Sequence, residues 1–365
     1  MRILDIINVL ETVAPPSLQE SYDNSGLLIG DSSLVCTGIM ITLDATENVI
    51  EEAARRHCNL VIAHHPIIFS GLKKIGTGDY VGKAVISAIR HDVAVYAIHT
   101  NLDNVIQGVN GKMAEMLGLK NTGVLLPRPS ALKKLSTFVP VNHLESLRKA
   151  LFSAGGGQIG NYSECSFETT GTGTFKAGPG TDPLVGEIGT RHEEKESRLE
   201  MVFPAHLESA MIKALLGAHP YEEVAYHIIT LDNTLSSIGS GLIGDTDREM
   251  DEMEFLLLVK EKFRLPLLRH TSLTGTKVNR VALCGGAGSF LMSRALASGA
   301  DVFVTSDLKY HEFFDANGRM VIADIGHYES EQFTINLLFD LMQEKFPNFA
   351  VLKSGSKTNP VQYLI

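Results

Sequence analysis

Three short apolar runs in this chain each break off into residues that bind metals or move protons, and this constrains the fold more than any other feature. Residues 59–63 (NLVIA) end at His64, His65 and Pro66. Residues 93–98 (VAVYAI) end at His99, with Asp103 just beyond, and residues 320–324 (MVIAD) are followed by His327 and Glu331. Short runs that are apolar without alternation read as strands buried on both faces, the environment of a parallel sheet covered by helices. Helical patterns at 45–57 and 81–91 stand between such runs, and 37–43, 278–284 and 301–305 supply further strands. The alternation predicts an α/β fold: a largely parallel or mixed sheet flanked by helices. In such folds ligands bind beyond the carboxyl ends of the strands, where these side chains gather.

The middle of the chain has a different rhythm. A strand at 135–139, a helix at 143–154 and a strand near 165–169 are followed by a polar stretch at 170–195, read as a loose hairpin. A strand at 198–203, a helix at 206–216 and a strand at 224–230 complete the segment. That order predicts a ferredoxin-like α+β domain. Pro127 and Pro129 mark its start and the GSGLIG segment its end, so the expected organisation is 1–127 and 245–365 as two halves of one α/β domain, with 128–244 inserted.

Composition excludes several classes. At 365 residues, 44% hydrophobic and 20% charged, the chain is neither disordered nor fibrous. A net charge of −10 without a basic run argues against a nucleic-acid-binding surface. No apolar run is long enough to span a bilayer. The first residues, MRILDIINVLETVAP, form an amphipathic helical pattern ending near Pro15 rather than a signal peptide. The four cysteines, Cys36, Cys58, Cys165 and Cys284, are widely spaced, as expected of reduced thiols in a cytoplasmic protein.

Each strand-end pattern alone has an ordinary explanation. Two adjacent histidines can lie on a surface, a loop aspartate can cap a turn, and His327 with Glu331 can share a helix face at i,i+4. Together they describe a metal site without thiolate, suited to Zn, Mn, Fe, Ni or Mg. Adjacent strand residues point to opposite faces, so His64 and His65 share a site only if the chain leaves the strand there. Gly285, Gly286 and Gly288 follow a strand and precede a helix. They offer backbone N–H groups to a phosphate, with Lys309 as a partner, or simply make a tight turn. Leu291 stands where a dinucleotide-binding motif needs glycine. The segment His219–Pro220–Tyr221–Glu222–Glu223 is conspicuous but defines no site on its own.

The motifs VIAHHP, HTNLD and GHYESE, with CGGAGS and TSDLKYHE, resemble the Ngg-interacting-factor-three-like family, also called GTP cyclohydrolase I type 2 homologues. The insert resembles the PII- or CutA-like domain of the longer bacterial members. The resemblance implies a dinuclear centre of two divalent ions, zinc first among them. His64 and Asp103 would hold one ion and His65 and His327 the other, with Glu331 bridging. It also implies a ring-shaped homohexamer and hydrolase activity, with a metal-bound hydroxide opening the imidazole ring of GTP. On that reading His99 and His311 are candidate acid–base groups. A metal-binding assembly or regulatory protein without turnover, or a phosphoesterase or peptidase using the same centre, are the alternatives.

Overall fold

The computed structural model describes residues 1–364, in two units. One contains Met1–Pro127 together with the chain from Ser236 onward, and the other is Arg128–Leu235.

Two mixed sheets organise the first unit. In the five-stranded sheet the order is Gly26–Ile29, Ala94–Ala97, Leu60–His65, Ile39–Asp44, Val351–Lys353. All neighbours run parallel except Gly26–Ile29, which lies antiparallel to Ala94–Ala97. Both faces are covered, which is why its strands read as unbroken apolar runs. Ile39, Ile41, Leu60 and Ile62 pack with Ile3, Ile6 and Leu10 of the N-terminal helix Ile3–Val13. On the opposite face Met40, Val61 and Ala63 meet Val49, Ile50 and Ala53 of the helix Glu47–Arg55.

The six-stranded sheet has the order Arg269–His270, Val321–Asp324, Val302–Ser306, Lys277–Ala287, Gly239–Asp251, Lys120–Pro127. Its second, third and fourth strands are parallel and the flanking pairs antiparallel. Phe255 and Val259 of the helix Glu252–Lys262 cover one face with Val281, Leu283 and Val304. Ala282, Phe303 and Ile322 pack on the other with Met292 and Ala295.

Four expectations need correction. The insert ends at 235 rather than 244, because residues 239–251 form a strand hydrogen-bonded on both edges within the six-stranded sheet. Its glycines and acidic residues masked that strand. The glycine segment is no turn: the strand Lys277–Ala287 continues through Gly285 and Gly286 with a register shift between Leu283 and Ala287. The helix after His327 is two helices, His327–Glu331 and Thr334–Lys345. The loose hairpin contains a regular ladder, Phe167–Lys176 against Arg191–Pro204.

The second unit is a βαββαβ layout whose antiparallel sheet runs Phe167–Lys176, Arg191–Pro204, Leu132–Pro140, Tyr226–Leu231. Leu147, Leu151, Met211 and Leu215 of its two helices close one face over Leu135, Val139, Leu199, Met201 and Phe203. The conspicuous 219–223 segment is tied to this sheet: His219 Nε2 donates to the Phe138 carbonyl at 2.9 Å and the Tyr221 hydroxyl to Glu196 at 2.8 Å. Among the described residues no helix is long and apolar enough to cross a membrane, and the four cysteines are free.

Candidate metal centre

His64 is completely buried, and its Nδ1–H donates to the carbonyl of Ile98 at 2.8 Å. A carbonyl only accepts, so Nδ1 carries the proton and Nε2 keeps its lone pair. That Nε2 has no hydrogen-bond partner among the described residues. It lies 3.7 Å from Asp103 Oδ1, itself unpartnered, and 3.9 Å from Glu331 Oε1. Two buried polar atoms that face each other without bonding carry a desolvation cost that a cation between them would remove.

His65 and His327 are held in the same manner. His65 is the last residue of its strand, so the alternation stops with it, and its ring centroid lies 4.9 Å from that of His64. Its Nδ1 donates to Asp44 Oδ1 at 2.7 Å, on the strand residue directly opposite, while Nε2 is 2.9 Å from Glu331 Oε2. His327 begins a helix just after Gly326, whose φ of 88° turns the chain. Its Nδ1 donates to Asp307 Oδ2 at 2.6 Å, and its Nε2 lies 3.1 Å from Glu331 Oε2 and 3.3 Å from His65 Nε2. Glu331 is 2% exposed and thus turns one oxygen to His65 and His327 and the other toward His64. The Glu331 carboxylate therefore stands between His64 on one side and His65 with His327 on the other.

Burial opposes charging on every one of these groups. It keeps the His64 imidazole below its usual range, hence neutral. At His65 burial is overruled by the carboxylates of Asp44 and Glu331, which push the ring up to about 9. Asp307 and Glu331 likewise push His327 up to about 11 against its burial. Burial and the charge of Glu331 raise the carboxyl of Asp103 well above the carboxylate range. Glu331 is held well below it despite its burial, by the imidazoles of His327, His64 and His65. A metal would therefore compete with protons at His65, His327 and Asp103, all of which are raised.

His99 joins this cluster from the other side. Its ring is 5.3 Å from that of His64 and 5.4 Å from that of His65, and its Nδ1 donates to Asp23 Oδ1 at 2.8 Å. Asp23, pulled toward a higher value by burial, is held below the carboxylate range by His99 and Thr100. One cluster of donor atoms comprises His64, His65 and His99, and another His65, His327 and Glu331. A cavity of about 410 Å³ reaches His65, His99, Asp103 and Glu331, and a second, of about 490 Å³, reaches His65 and His327 from the side of Asp44 and Asp307.

His311 is not brought into the site. It is exposed in the short helix Tyr310–Ala316, against the rings of Tyr310 and Phe314, and lines neither cavity. The structure shows no contact between His311 and the cluster that the expected acid–base role would use. The glycines have a different task from cradling phosphate. The N–H of Gly285 donates to Asn110 and that of Gly286 to Ser330. At Gly286, with φ of 63°, an added Cβ would stand 2.4 Å from Glu331 Oε1. The glycine makes room for the carboxylate. Sequence reasoning did not find Asp23, Asp44 and Asp307, which orient the imidazoles. The position of Asp44 at the end of a buried strand, as for His65, was the available signal.

The donors fit divalent ions: imidazole nitrogens with their far sides fixed, carboxylate oxygens, and no thiolate. An α/β protein with such a histidine–carboxylate cluster at its strand ends has side chains grouped so that they could hold a metal ion. Residues 1–360 match the Duf34/NIF3 (NGG1p interacting factor 3) family model, and the chain belongs to that family. It is 39% identical over 364 residues to the GTP cyclohydrolase 1 type 2 homolog of Bacillus subtilis, covering 98% of each chain. The homolog of Staphylococcus epidermidis is 35% identical over the whole of both chains. Among solved structures, a Bacillus cereus protein related to NIF3 superposes with a TM-score of 0.85 at 39% identity, covering 100% of this chain and 99% of that one. Staphylococcus aureus protein SA1388 gives 0.77 at 30% identity, with coverage of 100% and 99%.

Proposed function

We propose that this protein is a hydrolase that uses two divalent metal ions to open the imidazole ring of GTP or a closely related nucleotide. The observation that carries the reading is the convergence of His64, His65, Asp103, His327 and Glu331 on one buried point, with the far nitrogen of each imidazole fixed by an acceptor. His64 and Asp103 would hold one ion, His65 and His327 the other, and Glu331 both. Bound there, such a pair supplies Lewis-acid activation of water and neutralises developing negative charge. Zinc suits the mixed imidazole and carboxylate donors best, with Mn, Fe, Ni or Mg as alternatives.

The chain's own residues supply the proton handling. Asp23 fixes the proton of His99 on Nδ1, which leaves Nε2 as a base on the cavity side. In the proposed reaction water adds to C8 of the guanine ring, the C8–N9 bond breaks, and a second water releases the formyl carbon as formate. His99 takes a proton from the attacking water and returns it to the leaving ring nitrogen. The names of the relatives support the choice of GTP. We further place the protein in the cytoplasm as a ring-shaped homohexamer, with Arg128–Leu235 as a PII/CutA-like insert.

The test is formate release from GTP by zinc- or manganese-loaded protein, with His64→Ala as control. Metal-dependent formate that disappears in the variant is expected. A folded, metal-loaded protein that releases none refutes the GTP assignment. Light scattering of the purified protein checks the hexamer.

A further inference from the structure

The cavity that holds the donor cluster carries four side chains with no part in holding metal: Glu20, Tyr22, Phe69 and Phe290. The three rings are 62%, 51% and 60% exposed, respectively. Those of Tyr22 and Phe69 lie 6.3 Å apart, tilted by 30°, and Phe290 comes from the short helix Ser289–Leu291 beyond the glycine strand. Folding gains little from aromatic faces left in water, whereas a planar ring entering this cavity would cover them.

Glu20 adds a polar edge. Its backbone N–H donates to Thr100 Oγ1 at 2.9 Å, and its Oε1 accepts from Asn104 Nδ2 at 2.7 Å. Asn104 is buried and fixed in turn, donating to the Leu18 carbonyl and accepting from Ser240 Oγ. The carboxylate is thus anchored at the cavity wall, and its Oε2 makes no hydrogen bond to a described residue. An ionised carboxylate only accepts. Its two oxygens match a flat ring that presents two adjacent N–H donors, as guanine does with N1–H and its 2-amino group. Adenine presents an acceptor at N1 and a C–H at C2 instead, and the carboxylate repels it.

We propose that Glu20 selects a guanine-type ring through its N–H edge while Tyr22, Phe69 and Phe290 stack on its faces. This rests on the site acting on a guanine nucleotide and names the residues that choose the base. Stacking on an aromatic side chain, or a paired hydrogen-bonding edge, changes affinity by roughly fivefold to a hundredfold.

The experiment is calorimetric binding of guanosine, inosine and adenosine to the full-length zinc-loaded protein and to Glu20→Gln, Tyr22→Ala and Phe290→Ala. Zinc content and formate release from GTP are measured alongside. Wild type should prefer guanosine to adenosine by about tenfold or more, with inosine between. Glu20→Gln should remove most of that preference. Tyr22→Ala and Phe290→Ala should weaken both nucleosides together, with zinc content unchanged in every variant. A wild type that binds adenosine as well as guanosine, or binds neither, overturns the proposal whether or not a variant folds. So does a preference that survives Glu20→Gln. Selective guanosine binding without formate leaves Glu20 as the base reader and removes the cyclohydrolase reading. Formate release with the same base preference in Glu20→Gln does the reverse.

Discussion

Replacing Gly286 by alanine isolates the space the site reserves for its central carboxylate. Two costs separate cleanly. An alanine at φ of 63° carries a left-handed backbone penalty of ~1 kcal/mol. Its Cβ would also lie 2.4 Å from Glu331 Oε1, so that oxygen must retreat by about 1 Å to reach ordinary contact. The same carboxylate sits 2.9 Å from His65 Nε2 and 3.1 Å from His327 Nε2, and such a retreat strains or breaks one of these charged hydrogen bonds. Each is worth ~1.5–3 kcal/mol, which with the backbone cost gives a total of about 2.5–4 kcal/mol. Gly299 is the matched control: φ is 71° and an added Cβ meets nothing within 4 Å, so Gly299→Ala bears the backbone cost alone. Urea denaturation of the metal-free proteins should place Gly286→Ala about 1.5–3 kcal/mol below Gly299→Ala. Zinc titration should show a lowered stoichiometry only in the former. Equal stabilities together with full zinc binding in both variants would refute the argument that Gly286 exists to admit Glu331.

Other expectations follow from the same geometry. Asp307→Asn removes the acceptor charge that orients His327 and raises it to about 11, so zinc affinity should fall roughly ten- to hundredfold in a chelator competition. An unchanged affinity would exclude an orienting role. Glu52 accepts from the backbone N–H groups of Gly355 and Ser356 and from both flanking serine hydroxyls. Against a burial effect that raises it, these bonds depress its carboxyl from 4.5 to about 2. A depressed acid stabilises the fold fully above its unfolded value and loses that contribution as the pH falls through the folded one. Glu52→Gln should therefore be less stable than wild type at pH 7 by about 1 kcal/mol, with the gap closing between pH 4.5 and 2. A gap that stays constant down to the lower limit would contradict this. Pro127 pairs with Gly239 in the six-stranded sheet, so a short Gly-Ser link can replace Arg128–Leu235. That deletion should keep wild-type zinc content, and a folded product without zinc would show that the insert is needed for the site.

The buried parallel strands were visible because Leu60, Val61, Ile62 and Ala63 are each covered, leaving an apolar run with no polar interruption. The donors were visible because imidazole and carboxylate directly after such a run have few structural uses. The strand Gly239–Asp251 was not, since its exposed half is acidic and its glycines read as punctuation. Gly286 was misread for a related reason: a glycine required by a side chain distant in sequence looks the same as one required by a turn. His311 shared the local signature of His327, a histidine shortly after a strand. Only tertiary placement separates a ring held by Asp307 from one stacked on Tyr310 and Phe314.

The order of the donors along the chain has a consequence for biosynthesis. His64, His65 and Asp103 leave the ribosome before the insert, and His327 and Glu331 only after it. Throughout translation of the insert the nascent chain offers an incomplete pocket, two imidazoles without the carboxylate that joins them. If the proposed function holds, the pair of ions would be retained only once the polypeptide is nearly finished. Bound ions would then mark molecules whose second half has docked onto the first.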